Sequence, residues 1–278
     1  MKTIPKICHL YWDLSPMALL QTYTITTFHK LNPDWKIIVY VIKQSYKELG
    51  DNTFVPNYTG EDYFYKVRDM DFVEIREIDV IERGIGADKH SILGSDIFRM
   101  QALYETGGVY CDFDVIWIKP MDHFSNVDHI GNIDNFESIV SFYEYTKGHH
   151  NISILMSAPG SSYIKSIIEE QKKTMPPYQH QSFGTFMLNN LYPDLNSITT
   201  KYPKVLAVKY DTFYPYSIYD MERLWIKNDI SVINDKNVMC IHWFNGHRLS
   251  KDYINGYGYQ RDCSMTTILK KEGYIHEK

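Results

Sequence analysis

The sequence predicts an α/β protein organised around a parallel sheet, and two segments carry that prediction. In the first, Ile4–Trp12 reads as a buried strand, Ser15–Pro16 opens a helix that runs to about Leu31 and is stopped by Asn32–Pro33, and Trp35–Ile42 is a second apolar strand. Strand, helix and strand at this spacing make a βαβ unit, which places a nucleotide-type crevice beyond the strand carboxyl ends. The second segment is Ser95–Pro120. Ile97, Met100, Leu103 and Tyr104 recur at helical spacing, Gly107–Gly108 stands where a helix C-cap belongs, and the pattern then switches to period two.

Past the glycines, Val109, Cys111, Phe113, Val115 and Trp117 share one side of the expected strand, and Tyr110, Asp112, Asp114, Ile116 and Ile118 share the other. Two carboxylates rooted roughly 6–7 Å apart on one face are costly. Brought to ~4 Å they repel by about 4 kcal/mol at an effective dielectric of ~20, and burying either one unpaired costs more. A divalent cation removes the cost, and oxygen ligands suit Mg²⁺ or Mn²⁺. The alternative is a strand that ends at Asp112 with both acids solvated. Against it, the apolar run resumes over Val115–Ile118, which puts the acids inside the element.

The stretch SDIFRMQALYETGGVYCDFDV also resembles a known signature: Ser-Asp-x-x-Arg, then Leu-Tyr, then Gly-Gly-x-Tyr-x-Asp-x-Asp. It is similar to the retaining, sugar-transferring glycosyltransferases with a DXD motif, a family that includes capsular-polysaccharide transferases, yeast α-mannosyltransferases and the glucosylating domain of large clostridial toxins. IPKICHLYW resembles that family's opening strand, and more than half of the chain matches only weakly. The resemblance implies a GT-A (Rossmann-like) fold: a central mixed, mostly parallel sheet flanked by helices, with C-terminal helical and loop additions. It implies a single domain over 1–278, with a nucleotide-sugar-binding half at 1–120 and an acceptor half with a C-terminal metal or lid segment at 121–278.

Site residues follow from the same resemblance. Asp112 and Asp114 would hold Mn²⁺ or Mg²⁺ on the donor diphosphate, Asp114 as direct ligand and Asp112 also near the ribose. Asp96 and Arg99 would hold donor-sugar hydroxyls, with Arg99 reaching a phosphate. Trp12 would stack on the nucleobase beside Tyr11, and Tyr110 would line the ribose or sugar pocket. On spacing alone, Asp96 and Arg99 read equally as a surface ion pair worth a few tenths of a kcal/mol, and Trp12 as a core residue.

Elsewhere the pattern is plainer. Residues 44–71 have weak periodicity, Asp71–Ile78 alternates as a strand, and Asp88 is a candidate N-cap. No Gly-x-Gly-x-x-Gly or Walker loop occurs, so a phosphate cradle has to come from a metal and side chains. Strands are expected at Ser138–Tyr143 and Asn151–Ser157, helices at Tyr163–Lys173 and Ser182–Leu191, apolar runs at Val205–Tyr210 and Val238–Trp243, and a helical turn over Glu222–Asn228. Gln181, Ser182, Gly184 and Thr185 occupy the family's acceptor-site position without its usual Gly-Pro. In VMCIHWFNGHRLS, His242 is the candidate third metal ligand, with His247 or Asn245 as alternates and Trp243 as a cofactor contact. The following YINGYGYQRDC reads as a lid or acceptor surface.

Composition narrows the function classes. A net charge of −5 without a long Lys/Arg run argues against nucleic acid. Four scattered cysteines suggest buried thiols in a reducing compartment rather than disulfides. No signal peptide and no apolar run of about 18 residues is found, which favours a cytoplasmic protein; the last residues could touch a membrane peripherally. The 23 tyrosines and five tryptophans suit sugar and base stacking, or simply fill a core. The expected function is metal-dependent, retaining transfer of a hexose from a nucleotide-sugar, UDP-linked with GDP the main competitor. The acceptor would be a glycan or lipid-linked sugar, as in surface polysaccharide synthesis; oligomeric state is open. The rival readings are a catalytically silent carbohydrate-binding protein and a glycoside hydrolase. Hydrolase acids must flank the scissile bond, and two on one strand face do not.

Overall fold

The computed structural model describes residues 3–46, 48, 56–85, 91–128, 130–143, 149–174, 176, 182–256 and 258–275. Its first βαβ unit is β1 (Ile7–Trp12), α1 (Leu19–Leu31) and β2 (Lys36–Ile42). The strand faces alternate as a doubly covered parallel sheet requires. Ile37, Val39 and Val41 enter one core, and Ile38, Tyr40 and Ile42 the other. α1 starts four residues later than Ser15. The Asp13 carboxylate accepts both the N–H and the hydroxyl of Ser15, and Asp62 takes the Met17 N–H, so this stretch is held as a turn. The helix ends at Asn32, as expected.

The next elements are α2 (Phe64–Arg68), which the weak periodicity of 44–71 did not announce, β3 (Val73–Ile78), and α3 (Ser91–Thr106). Asp88, the expected N-cap of α3, lies outside the described residues. α3 ends on the two glycines, with φ of +68° at Gly107 and +106° at Gly108, a conformation that a side chain resists. Within α3, Gly94 has a packing purpose. A Cβ there would stand 1.8 Å from the Tyr46 hydroxyl, which itself bonds the Tyr11 hydroxyl at 2.8 Å. Alanine would gain about 1 kcal/mol in helix propensity, but it would force Tyr46 aside and leave a buried hydroxyl unpaired at a cost of about 1–3 kcal/mol. Chemical denaturation of Gly94→Ala is therefore expected to show a net loss on the order of 1 kcal/mol; a stabilised variant would refute this account.

β4 (Gly108–Cys111) then stops, and here the structure corrects the sequence reading. The strand does not continue through the acids to Trp117. Asp112–Asp114 form a bend, and β5 (Val115–Trp117) belongs to a separate two-stranded sheet. Backbone groups leaving a ladder need new partners, and α1 supplies them. The Thr24 hydroxyl donates to the Phe113 carbonyl at 2.8 Å and accepts from Val115 N–H, and Thr27 Oγ1 accepts from Trp117 N–H. Phe113, Val115 and Trp117 still share a core with Val109 and Cys111, so the alternation of faces survives the bend.

The remaining elements are β6 (Ser138–Tyr143), β7 (His149–Ser157), α4 (Ser162–Gln171), α5 (Thr185–Leu191), α6 (Leu195–Lys201), β8 (Val205–Lys209), α7 (Glu222–Trp225), β9 (Cys240–His242), α8 (Arg248–Asn255) and α9 (Ser264–Lys271). The main sheet has seven strands in the order β3-β2-β1-β4-β7-β6-β8. All pairings are parallel except those of β7, so it is mixed and mostly parallel. β9 pairs antiparallel with β5. A third core lies beyond that ribbon and takes in the C-terminal tail. Tyr253, Cys263, Met265, Ile268 and Leu269 are buried there; within the segment read as a lid, Tyr253, Ile254 and Cys263 anchor its two ends, while Asn255, Gly256 and residues 260–262 are exposed. All four cysteines are free and buried. Among the described residues, no helix is long and apolar enough to cross a membrane.

Candidate active site

The carboxyl ends of β1 and β4 open into a cleft of about 850 Å³. Its floor comes from the Asp112–Asp114 bend, one wall from α3, and another from the turn after β9. Tyr11, Trp12, Asp96, Arg99, Asp112, Asp114, His242, Asn245 and His247 all line it. Both halves of the chain therefore contribute to one site.

Three ligand-bearing side chains converge on the floor. Asp112, Asp114 and His242 each offer one donor atom, all within 4.8 Å of one another. His242 is brought there by β9, whose antiparallel register sets it opposite Val115. His242 Nε2 lies 3.0 Å from Asp114 Oδ1, yet no well-formed hydrogen bond joins them, and both atoms are buried without a hydrogen-bond partner. The other Asp114 oxygen accepts the Asn245 N–H at 2.8 Å. Burial pushes the Asp114 carboxyl up, but the His242 imidazole and the Asn245 N–H outweigh it and hold the carboxyl below its usual range. Two carboxylates and an imidazole with orphaned lone pairs suit a divalent cation such as Mn²⁺, so this donor set fits the metal.

Behind the floor, α3 supplies a buried charge network. Arg99 is 4% exposed and Asp96 3%, so their pair is no surface ornament. The Arg99 guanidinium meets Asp96 at 3.0 Å and Asp112 at 3.4 Å, and it donates to the Ser95 hydroxyl at 2.8 Å and the Ile152 carbonyl at 2.8 Å. Burial opposes its charge, but Asp112, Tyr110 and Asp96 outweigh that and keep it protonated. Asp96 responds in the opposite sense. Burial raises its carboxyl to about 6, against the pull of Arg99 and with the Asp112 charge adding to the rise. Asp96 Oδ2 has no partner and sits beside Gly184, where a Cβ would come within 2.8 Å.

Several expected contacts fall elsewhere. Tyr110 is 1% exposed and does not line the cleft; its hydroxyl donates to Asp112 Oδ1 at 3.0 Å, and its ring lies under Arg99. It supports Asp112 and is too deep to line a sugar pocket. Trp243, expected at the cofactor, is fully buried in the third core, because alternation along β9 turns it away from His242. Its backbone N–H donates to the Asp114 carbonyl. Trp12 lines the cleft by an edge only, at 6% exposure, with its ring against Phe64 and Phe113. Tyr11 is held through Tyr46. His247 is the N-cap of α8, its ring accepting the Leu249 N–H, and it stands outside the three-residue cluster. Asn245 approaches Asp114 through its backbone rather than its amide. Thr185 lines the cleft with its hydroxyl donating to the His150 carbonyl, whereas Gln181 lies outside the described residues.

Sequence reasoning missed Ser95 as a partner of Arg99 and Tyr110, and it missed Tyr214 and Phe244 around His242. Ser95 was legible in the Ser-Asp-x-x-Arg signature. Nothing in local spacing points to Tyr214.

Comparison with known proteins agrees with this geometry. Residues 20–137 match the family model described as a glycosyltransferase sugar-binding region containing a DXD motif. Over those residues, less than half of the chain, the sequence is similar to that family. Among solved structures, it resembles the PaToxG glycosyltransferase at 17% identity and a TM-score of 0.48, over 72% of this chain and 74% of that one. It also resembles the galactosyltransferase LgtC, solved with donor and acceptor sugar analogues, at 14% identity and a TM-score of 0.45, over 86% and 87% of the two chains. The glycosyltransferase GlyE of Streptococcus pneumoniae TIGR4 shares 13% identity at a TM-score of 0.46, over 86% of this chain and 55% of that one. No curated protein matches by sequence. The mixed, mostly parallel seven-stranded sheet between helices is the architecture expected from the sequence.

Proposed function

We propose that this chain is a metal-dependent glycosyltransferase that moves a hexose from a nucleotide-sugar, with UDP as the expected base, to a glycan or lipid-linked sugar with retention of configuration. The observation that carries the reading is the buried, unpartnered meeting of Asp114 Oδ1 and His242 Nε2, with Asp112 beside them, on the floor of an open cleft. Asp112, Asp114 and His242 would hold Mn²⁺ or Mg²⁺, whose chemistry is to offset charge on the departing nucleoside diphosphate. The chain's own groups do the rest. Arg99 and Tyr110 fix the Asp112 carboxylate, and the Asn245 N–H fixes that of Asp114. Asp96 lines the cleft, and its unpartnered Oδ2 would be the acceptor for a donor-sugar hydroxyl. Such preset dipoles act without reorganisation at the moment of transfer. A cytoplasmic setting, peripheral membrane contact and a place in surface polysaccharide synthesis belong to the same proposal.

The test is a panel of UDP- and GDP-sugars, with and without Mn²⁺, assayed for slow donor hydrolysis in the absence of acceptor. Cleavage of one UDP-hexose only when metal is present is the expected result. UDP with Mn²⁺ should also stabilise the protein, on the order of 3 kcal/mol when free ligand stands ~100-fold above Kd. Glycan binding with neither cleavage nor stabilisation would instead identify a silent carbohydrate-binding protein.

A further inference from the structure

Metal-ligating histidines are ordinarily oriented by a hydrogen bond at their second ring nitrogen. His242 has none: Nδ1 is buried without a hydrogen bond, and Nε2 faces Asp114 Oδ1. Its surroundings are aromatic instead. Phe244 meets the imidazole edge-on, with centroids 4.3 Å apart and planes at 77°. Tyr214 packs against the same ring at 5.0 Å and 56°, and it too is fully buried, with an unpartnered hydroxyl.

Phe244 reaches this place through a backbone φ of +47°, a left-handed conformation that a bulky residue adopts only under strain. Its carbonyl accepts the His247 N–H at 2.8 Å, which closes the turn. The residues on either side both donate to Asp114. Trp243 N–H reaches the Asp114 carbonyl at 2.9 Å, and Asn245 N–H reaches Oδ2 at 2.8 Å. One strained residue therefore joins the placement of two candidate ligands.

We propose that Phe244 is a positioning residue whose left-handed turn and ring, together with the Tyr214 ring, clamp the His242 imidazole and the Asp114 carboxylate in register for a divalent cation. The inference rests on the metal-binding reading above. Ring packing replaces the hydrogen bond that usually sets the ligand, so removing the ring frees His242 to rotate without unfolding the protein.

The test measures Mn²⁺ affinity by electron paramagnetic resonance of the free ion, on nucleotide-free protein, beside melting of the metal-free forms. Phe244→Gly keeps the dihedral accessible and deletes the ring. It should bind Mn²⁺ about 10- to 100-fold more weakly while still melting cooperatively. Phe244→Ala should show the same loss. Phe244→Tyr restores the ring, and Tyr214→Phe removes only the hydroxyl; both should bind within about twofold of the natural protein. Natural-protein affinity in a folded Phe244→Gly overturns the clamp, as does a Tyr214→Phe loss of the same size, because the hydroxyl would then be the orienting group. A natural protein that takes up no Mn²⁺ overturns both the clamp and the metal reading.

Discussion

Asp114→Asn is expected to lower metal-dependent sugar transfer about a hundred- to a thousand-fold, the scale of losing one preorganised electrostatic element, while leaving the enzyme folded. Asparagine has the shape of the acid it replaces. Its carbonyl oxygen can still accept the Asn245 N–H, which reaches Asp114 at 2.8 Å. The NH₂ then faces His242 Nε2, at the position where the two unpartnered atoms now stand 3.0 Å apart. A donor there satisfies the imidazole nitrogen and removes it as a ligand. Two of the three candidate ligands are thus disabled by exchanging one oxygen for nitrogen. Stability should move by only about 1 kcal/mol, because the variant gains one hydrogen bond as it loses a buried charge. Turnover of the identified donor at saturating Mn²⁺, beside melting of the metal-free protein, gives the answer. Unchanged turnover would remove Asp114 from the chemistry.

The second large effect falls on folding. Arg99→Met should destabilise the protein by about 3–5 kcal/mol, the cost of leaving a buried charge without its partner. Asp96 is 3% exposed, and among the described residues its ion-pair partner is Arg99, so the variant leaves that buried carboxylate without a compensating charge. Asp112 and the Ile152 carbonyl lose their guanidinium contacts as well.

The penalty should depend on pH, with a sign set by Asp96. Burial already raises this carboxyl to about 6 in the folded protein. A carboxyl raised in this way favours the folded state below the pKa of the unfolded chain, and that contribution is lost as pH rises through about 6. Without Arg99 the carboxyl rises further. The difference between variant and natural protein should therefore be small near pH 4.5 and grow toward about pH 7.5. Urea denaturation at the two values tests it. A difference under about 1 kcal/mol at both would mean that water, rather than Arg99, compensates Asp96.

The legible parts of the molecule were the local ones. The glycine pair after α3, the apolar strands of the first βαβ unit and the spacing of Asp112 and Asp114 are contained in short stretches of chain. His242 could be nominated because it lies in an apolar run of the C-terminal segment, from which the resembled family commonly completes its metal shell. Less could be said of Tyr110 and Trp243. An aromatic residue beside a site has the same composition whether it faces the ligand or the interior, and both of these face the interior.

What the sequence by itself determined was a mostly parallel α/β sheet, a closely spaced pair of acids after the helix and its glycines, and a resemblance to a family, because those rest on short stretches of chain. Only the tertiary structure decided that the strand breaks at Asp112, that hydroxyls of α1 take over its ladder, and that His242 on β9 closes on Asp114 between Tyr214 and Phe244. The physical reason is one of range. A period-two pattern states which way a side chain points. The partner that satisfies a backbone group or a carboxylate is chosen among residues about a hundred positions away, where no local pattern reaches.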